Sequence, residues 1–86
     1  MRLLRLTNVL DKRGIKRAQH YADIKCGLYP PPVKLGRASA WPEYEIDELL
    51  QAQIAGADKS RRRALVLRLV AERKTLSAAI ALRTGH

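Results

Sequence analysis

The chain has few of the residues that form disulfides, membrane spans or aromatic platforms. It contains one cysteine, one tryptophan, three tyrosines and no phenylalanine among 86 residues. The single cysteine, Cys26, excludes an internal disulfide and a cysteine metal cluster, and it suits a reducing cytoplasm. No apolar run approaches the roughly 20 residues that a membrane span needs, and residues 1–6 are too short and interrupted for a signal peptide. We therefore expect a cytoplasmic protein that does not enter a membrane.

Acidic residues are scarce in the first half of the chain. The sequence has 17 Lys and Arg against 8 Asp and Glu, which gives a formal net charge of +9. Residues 1–41 hold nine of the basic residues against only Asp11 and Asp23, whereas residues 42–86 are nearly balanced. This excess favours a nucleic acid, an anionic membrane surface or an acidic protein as partner, with non-specific solubilising charge as the alternative.

Catalytic motifs are missing as well. The sequence shows no acid pair, no nucleophile–base arrangement and no phosphate-cradling glycine motif. His20, Asp23 and the terminal His86 are too few ligands for a metal site. We therefore expect a binding protein without a metal or cofactor, and not an enzyme.

Two short helices separated by a glycine are predicted in the first third of the chain. Thr7 is a good N-cap for a helix over residues 8–13, and Gly14 supplies the left-handed residue that ends it. Ile15 is expected to fill the core between the helices, and a second helix follows over residues 16–26. A second helix presented by a Gly-containing turn is typical of a helix-turn-helix motif, whose second helix enters the DNA major groove.

The spacing of apolar residues predicts the faces of the second helix. The predicted buried stripe consists of Ala18, Tyr21, Ala22, Ile24 and, just beyond the helix, Leu28. The predicted exposed side consists of Arg17, Gln19, His20 and Asp23. Arg17 lies at the N-terminal end, where recognition helices meet base edges, and Arg and Gln pair well with guanine and adenine. A merely solvated face, with His20 paired to Asp23, is the alternative.

A small β-hairpin, or wing, is predicted after the second helix. Gly27 ends the helix, and the three prolines at 30–32 force an extended segment that leads into a strand at Val33–Leu35. Residues 36–39 then form the turn, because Gly36 allows a positive φ, and residues 40–41 return. The basic side chains of Lys34 and Arg37 are placed to reach phosphate or the adjacent minor groove.

Three further predictions concern packing around the wing. Trp41 is expected to anchor the core where the wing meets the helices. Stacking of Trp41 on a nucleotide is the alternative, although single-strand platforms usually offer several aromatics. Residues 2–6 form either a strand beside the hairpin or an apolar staple for the first helix.

Two more helices are predicted in the second half. Pro42 suits the first position of a third helix, the acids that follow favour its N-terminal end, and Gly56 closes it. Its predicted buried face is Ile46, Leu49, Leu50 and Ile54. Asp58 and Ser60 offer caps for a fourth helix over residues 61–82, which carries an apolar stripe of Leu65, Leu69, Leu76 and Ile80, with Val66 and Val70 alongside. This stripe either binds a second copy of the chain or folds back on the domain. The basic run at residues 61–63 either touches phosphate or is solvated.

The sequence resembles the AlpA-like phage regulators and the related small excisionases, which are MerR-like winged-helix proteins. The resemblance covers about residues 2–54. It is carried first by Leu3-Leu4-Arg5-Leu6, Gly14-Ile15, Arg17 and Tyr21. It is most specific over Gly27-Leu28-Tyr29-Pro30-Pro31-Pro32-Val33-Lys34-Leu35-Gly36, and it continues through Trp41, Glu43 and Glu45-Ile46-Asp47. The expected fold is mostly α with a small β-hairpin: a winged helix-turn-helix at residues 1–56, plus a C-terminal helical extension at residues 57–86.

The resemblance implies sequence-specific binding to double-stranded DNA of a phage or other integrated mobile element. The protein would act as an excisionase (a recombination directionality factor), as a transcriptional regulator of excision genes, or as both. The expected DNA-binding residues are Lys16, Arg17, Gln19, His20, Lys25, Lys34 and Arg37. A second copy, associating through Leu65, Leu69, Leu76 and Ile80, and an integrase are further candidate partners. The rival hypotheses are an antitoxin-like or anti-repressor-like interaction module and a small RNA-binding protein, which would need exposed aromatics.

Overall fold

The computed structural model describes the backbone of residues 2–83 and the side chains of residues 2–75. Within that range the chain forms three short strands and four helices, whose bounds are β1 Leu3–Arg5, α1 Leu6–Arg13, α2 Arg17–Lys25, β2 Val33–Leu35, β3 Ala38–Pro42, α3 Glu43–Ile54 and α4 Lys59–Arg83. This arrangement confirms the predicted winged helix-turn-helix with a C-terminal helix. None of the helices described is long and apolar enough to cross a membrane.

The three strands form one antiparallel sheet in the order β1-β3-β2. Leu4 pairs with Trp41, and Val33 pairs with Ala40, so the long central strand β3 carries both neighbours. The N-terminal segment is therefore a strand beside the hairpin. The hairpin turn is tighter than predicted: Leu35 pairs with Ala38, which leaves a two-residue loop. Its first residue, Gly36, has φ +64°, and that positive φ at the first loop residue alone is typical of a type II′ turn.

The helix ends follow local signals, with one exception. Gly14 adopts the left-handed conformation, with φ +67°, and ends α1 as predicted. The predicted cap at Thr7 is wrong, because α1 begins at Leu6 and its cap position is Arg5, which makes no side-chain capping hydrogen bond. Since Arg5 still pairs with Ala40 in the sheet, the strand passes directly into the helix. Asp58 caps α4 by accepting a hydrogen bond from the Arg61 backbone amide at 2.8 Å.

One hydrophobic cluster joins the sheet to the helices. Its fully or almost fully buried members are Leu4, Val9, Tyr29, Trp41, Ile46, Leu49, Val66 and Leu69. Trp41 is a core anchor, as predicted, and its indole Nε1 donates to the Pro30 carbonyl at 3.0 Å. Two predicted core positions are wrong: Ile54 is 86% exposed, and Ile15 is only half-buried in the turn between α1 and α2.

Helix α4 folds back on this cluster. Leu69 is completely buried, Val66 nearly so, and Leu65 and Val70 pack against them. Leu69 is therefore covered by its own chain and Leu65 partly so, which favours the alternative that the stripe folds back on the domain; self-association through this stripe stays a prediction. The other two residues of that prediction, Leu76 and Ile80, lie outside the described side chains. Arg73 strengthens the packing by donating to both carboxylate oxygens of the buried Glu45, at 2.9 and 2.6 Å.

Candidate nucleic-acid interface

A buried arginine on α1 determines how α2 is oriented. The Arg13 side chain is almost completely buried, and its guanidinium donates to His20 Nδ1 at 2.7 Å and to Asp23 Oδ2 at 2.5 Å. Its Cζ atom lies 3.4 Å from the centre of the Tyr29 ring. We call these four residues, Arg13, His20, Asp23 and Tyr29, the Arg13 cluster. Because one cation contacts two residues three positions apart on α2, the cluster fixes the rotation of that helix about its axis.

The histidine of the Arg13 cluster is neutral at physiological pH. The pKa of His20 is lowered from 6.5 to about 4, first by burial and second by the positive charge of Arg13, which together outweigh the opposite effect of the Asp23 carboxylate. Because His20 Nδ1 accepts the hydrogen bond from Arg13, the ring proton lies on Nε2. The ring also packs edge-on against Trp41, with centroids 5.0 Å apart. His20 is therefore part of the core.

The predicted buried and exposed faces of α2 are wrong, because the buried side lies nearly opposite the predicted one. His20 is fully buried and Asp23 is 9% exposed, although both were predicted to be exposed. The predicted DNA contact of His20 is accordingly excluded, because none of its side chain reaches the surface. Ala18, Tyr21 and Ala22 were predicted to be buried and are exposed instead. Only Ile24 and Leu28 of the predicted stripe pack inward.

Because His20 and Asp23 face the core, the opposite side of α2 forms a contiguous exposed surface. We call this surface the outer face; it consists of Arg17, Ala18, Tyr21, Ala22 and Lys25. These residues recur at intervals of one, three and four, so at about 100° per residue they share one side of the helix. The Arg17 guanidinium lies 5.6 Å from the centre of the Tyr21 ring. Gln19 lies at the edge of this face, and its amide donates to Asp23 Oδ1 at 2.8 Å. The side-chain nitrogen of Gln19 is thus engaged within the protein.

The wing presents two exposed cations. Arg37 is the second residue of the two-residue hairpin loop. Lys34 is exposed on β2 and donates through Nζ to Ser39 Oγ at 2.8 Å on the neighbouring strand. Lys34 lies on the opposite side of β2 from Val33 and Leu35, as strand alternation predicts. Both predicted wing residues are therefore available to a partner.

Ion pairs within the protein neutralise the acids of α3 but leave many of the basic residues without a partner among the described side chains. The acids of α3 are neutralised from two sides: Glu43 and Asp47 bind Lys12 of α1, and Glu48 binds Arg68 of α4. By contrast, six basic residues of the first 41 take part in no ion pair among the described side chains, namely Arg5, Lys16, Arg17, Lys25, Lys34 and Arg37. These six cations lie on β1, the helix-turn-helix and the wing. Helix α4 carries five further cations without an ion pair among the described side chains, namely Lys59, Arg61, Arg62, Arg63 and Lys74.

The basic run at the start of α4 has mainly structural contacts. Arg63 Nε donates to the Cys26 carbonyl at 3.0 Å, which satisfies an unpaired group at the end of α2. Arg62 is half-buried with its guanidinium 6.0 Å from the centre of the Tyr29 ring. Arg61 remains exposed on the first turn. Two of the three arginines therefore support the helix-turn-helix from behind.

Two residues that determine this interface, the buried Arg13 and the exposed Tyr21, were missed from the sequence, and the reason differs for each. Arg13 looked like an ordinary surface cation in the last turn of α1, because its partners lie on another helix. Tyr21 looked like a core residue, because an aromatic at helical spacing is usually buried. The one signal that could have corrected both was the presence of His20 and Asp23 three residues apart on the same helix, a pair that a nearby cation could bury.

Comparison with known proteins gives one match. The model of a protein family described as the prophage CP4-57 regulatory protein (AlpA) matches residues 2–54 of this chain. The matched segment runs from β1 to the last residue of α3 and so contains the helix-turn-helix and the wing. Neither the curated proteins nor the solved structures contain a significant match.

Proposed function

We propose that this chain, which belongs to the family of the prophage CP4-57 regulatory protein (AlpA), is a sequence-specific double-stranded DNA-binding regulator of a phage or other integrated element. The observation that carries the proposal is the division of charge. Six basic residues of the first 41, on β1, the helix-turn-helix and the wing, take part in no ion pair among the described side chains, whereas the acids of α3 are compensated inside the protein. A duplex carries one negative charge per about 1.7 Å of its axis, and such a surface suits it.

The roles of the individual residues follow from their positions. The outer face of α2 enters the major groove, where Arg17 contacts a base edge. Lys16 precedes the N-terminus of α2, which has no side-chain cap, so that its free amides and the Lys16 ammonium bind one phosphate. Lys25, at the other end of the helix, binds a second phosphate. Gln19 contributes through its free amide oxygen.

The wing extends the contact along the duplex. Arg37 at the hairpin tip and Lys34 beside it bind phosphates or reach the adjacent minor groove. These contacts raise the affinity for every sequence, because phosphates carry no base identity. Specificity therefore comes from α2, and the wing adds affinity and orientation.

The biological step is the control of excision. The protein either activates transcription of a recombination gene or acts at the attachment site as an excisionase, where an integrase is the partner. Adjacent copies gain effective concentration when they occupy neighbouring sites. Because Leu69 is completely buried and Leu65 partly buried, we expect contacts between such copies to use other residues of the chain.

Binding to DNA from the region around the protein's own gene tests the proposal. Nuclease footprinting on that DNA should reveal a discrete protected site, and its position at a promoter or at an attachment site distinguishes the two roles. In titrations with salt, affinity for the duplex should fall roughly 150-fold between 50 and 200 mM if the four phosphates assigned above are contacted. Affinity that does not depend on salt, or a preference for single-stranded RNA over duplex DNA, would refute the proposal.

A further inference from the structure

The middle of the outer face of α2 carries no charge. Arg17 and Lys25 stand at its two ends, and Ala18, Tyr21 and Ala22 lie between them, all exposed. Tyr21 is 39% exposed and is one of only four aromatic residues in the chain. A surface that only attracted phosphate would gain from further cations at these positions. The three uncharged side chains therefore indicate contact with a group other than a phosphate.

Only one base offers an apolar group in the major groove. Thymine presents its C5 methyl group there, whereas guanine, cytosine and adenine present hydrogen-bond donors and acceptors. Alanine methyl groups and the face of an aromatic ring are the side-chain groups that contact a thymine methyl. Ala18 and Ala22 are also short, which lets the backbone of α2 approach the base edges closely. The backbone amides in the middle of the helix are already hydrogen-bonded within it, so apolar contact is the recognition that remains.

The tyrosine also acts on its neighbour Arg17. The two residues are four apart, and the guanidinium lies over the ring at 5.6 Å, within the range of a cation–π interaction. An arginine held in this way loses less side-chain entropy when it forms two hydrogen bonds to guanine O6 and N7. Arg17 and the Tyr21 ring therefore lie together on the outer face of α2.

Resting on the proposed function, we infer that Ala18, Tyr21 and Ala22 recognise thymine methyl groups, and that Tyr21 holds Arg17 for a neighbouring guanine. Tyr21 is accordingly a specificity-determining residue in two ways: its ring contacts a methyl group, and it positions the arginine. The recognised half-site is a guanine flanked by thymines on the strand that faces α2.

Replacing thymine by deoxyuridine tests the inference with the unaltered protein. The recognised sequence is first determined by selection from a random duplex library, and each thymine is then replaced singly by deoxyuridine, which lacks only the methyl group. At contacted positions affinity should fall about fourfold per methyl group, as expected from the transfer of one CH₂-sized group. Deoxyuridine elsewhere in the site should change nothing. Replacing cytosine by 5-methylcytosine outside the site is the matched control.

Variants at one position separate the ring from the hydroxyl. Tyr21→Ala should lose the deoxyuridine effect at the thymine that the ring contacts and relax the preference for the guanine, whereas Tyr21→Phe, which keeps the ring, should preserve both. Leu67→Ala, at another exposed apolar residue, should leave the selected sequence unchanged. Circular dichroism checks that each variant is folded.

The outcomes distinguish this inference from the proposed function. If the protein binds a specific duplex site but no thymine can be distinguished from deoxyuridine, the inference is wrong and the proposed function stands. If Tyr21→Ala selects the same sequence as the wild type, the role of the ring is likewise wrong. If no duplex sequence is preferred at all, the proposed function fails and the inference fails with it.

Discussion

A few buried polar residues fix the orientation of α2 and so determine which of its side chains are exposed to a partner. Asp23 is a carboxylate in the core, and burial of such a charge is tolerated only with a cation and further hydrogen bonds. Arg13 and Gln19 supply these, at 2.5 and 2.8 Å. His20 joins as a neutral acceptor. Because each of these residues depends on the others, substitution of any one disturbs the orientation of the whole helix.

The neutral His20 makes stability depend on pH. Its pKa is about 4 in the folded protein and 6.5 in the unfolded chain, so between these values only the unfolded chain binds the proton. The stabilisation is therefore complete above pH 6.5 and decreases as the pH falls toward 4, by about 1.4 kcal/mol per pH unit. We expect urea denaturation at several pH values to show this slope.

The variant His20→Gln isolates the effect. Glutamine retains a carbonyl oxygen that accepts from Arg13, but it does not titrate, so the slope between pH 6.5 and 4 should be shallower than in the wild type. All other ionisable groups are the same in both proteins, so the difference between the two slopes belongs to His20. Equal slopes would show that His20 does not carry the pH dependence.

At the scale of elements, the residues at a helix end or turn determine where it lies, whereas the elements packed against a helix determine which of its faces is buried. Gly14 and Gly36 both adopt positive φ where the chain turns, and the wing forms where three prolines deliver an extended segment. The wing is a two-residue hairpin whose tip is Arg37, an exposed residue without an ion pair among the described side chains. Its contribution to binding is thus separable from that of α2.

Removal of the wing arginine should weaken binding without changing its specificity. Arg37→Ala should lower affinity for specific and random duplexes by the same factor and reduce the magnitude of the salt slope by about 1, because one phosphate contact is lost. Lys74→Ala removes an exposed cation from α4 and should leave the slope unchanged. Fluorescence anisotropy across a salt series measures both. A change in the selected sequence would instead assign Arg37 to base recognition.

At the scale of the whole molecule, α4 completes the structure that positions the DNA-binding elements. Leu69 and Val66 belong to the same core as Trp41, and Arg73 donates to the Pro31 carbonyl at 3.0 Å as well as to Glu45. The helix therefore connects α3 to the proline segment before the wing. The family match ends at residue 54, so this supporting helix lies beyond the matched segment.

Two leucines on α4 allow a matched test of this role. Leu69→Ala should reduce the free energy of unfolding by about 2–5 kcal/mol, because it leaves a cavity in the core. Leu67→Ala, where the side chain is 73% exposed, should change it by less than about 0.5 kcal/mol. Thermal and urea denaturation measure both. Similar small effects at both positions would mean that α4 is a separate extension and not a part of the core.

The amino-acid sequence by itself determined the order of the helices and the wing, most of the helix ends and the family. Glycines, prolines and the asymmetry of charge act within a few residues or through composition, so they can be recognised without knowledge of the fold. This is why the helix-turn-helix, the wing and the basic excess were predicted correctly, as were the wing positions of Lys34 and Arg37.

Only the tertiary structure decided which face of α2 is exposed and what covers α4. Apolar spacing predicted Tyr21 to be buried and His20 to be exposed, and the opposite is true. The buried side of α2 meets Arg13, Tyr29 and Trp41, which come from other elements. A polar residue is stable in the core when its hydrogen-bond partner is held close to it in space. In the sequence, that partner can be many residues away. The free energy of such a contact depends on the distance between the two residues and on their burial. The spacing of apolar residues along one helix therefore cannot predict it.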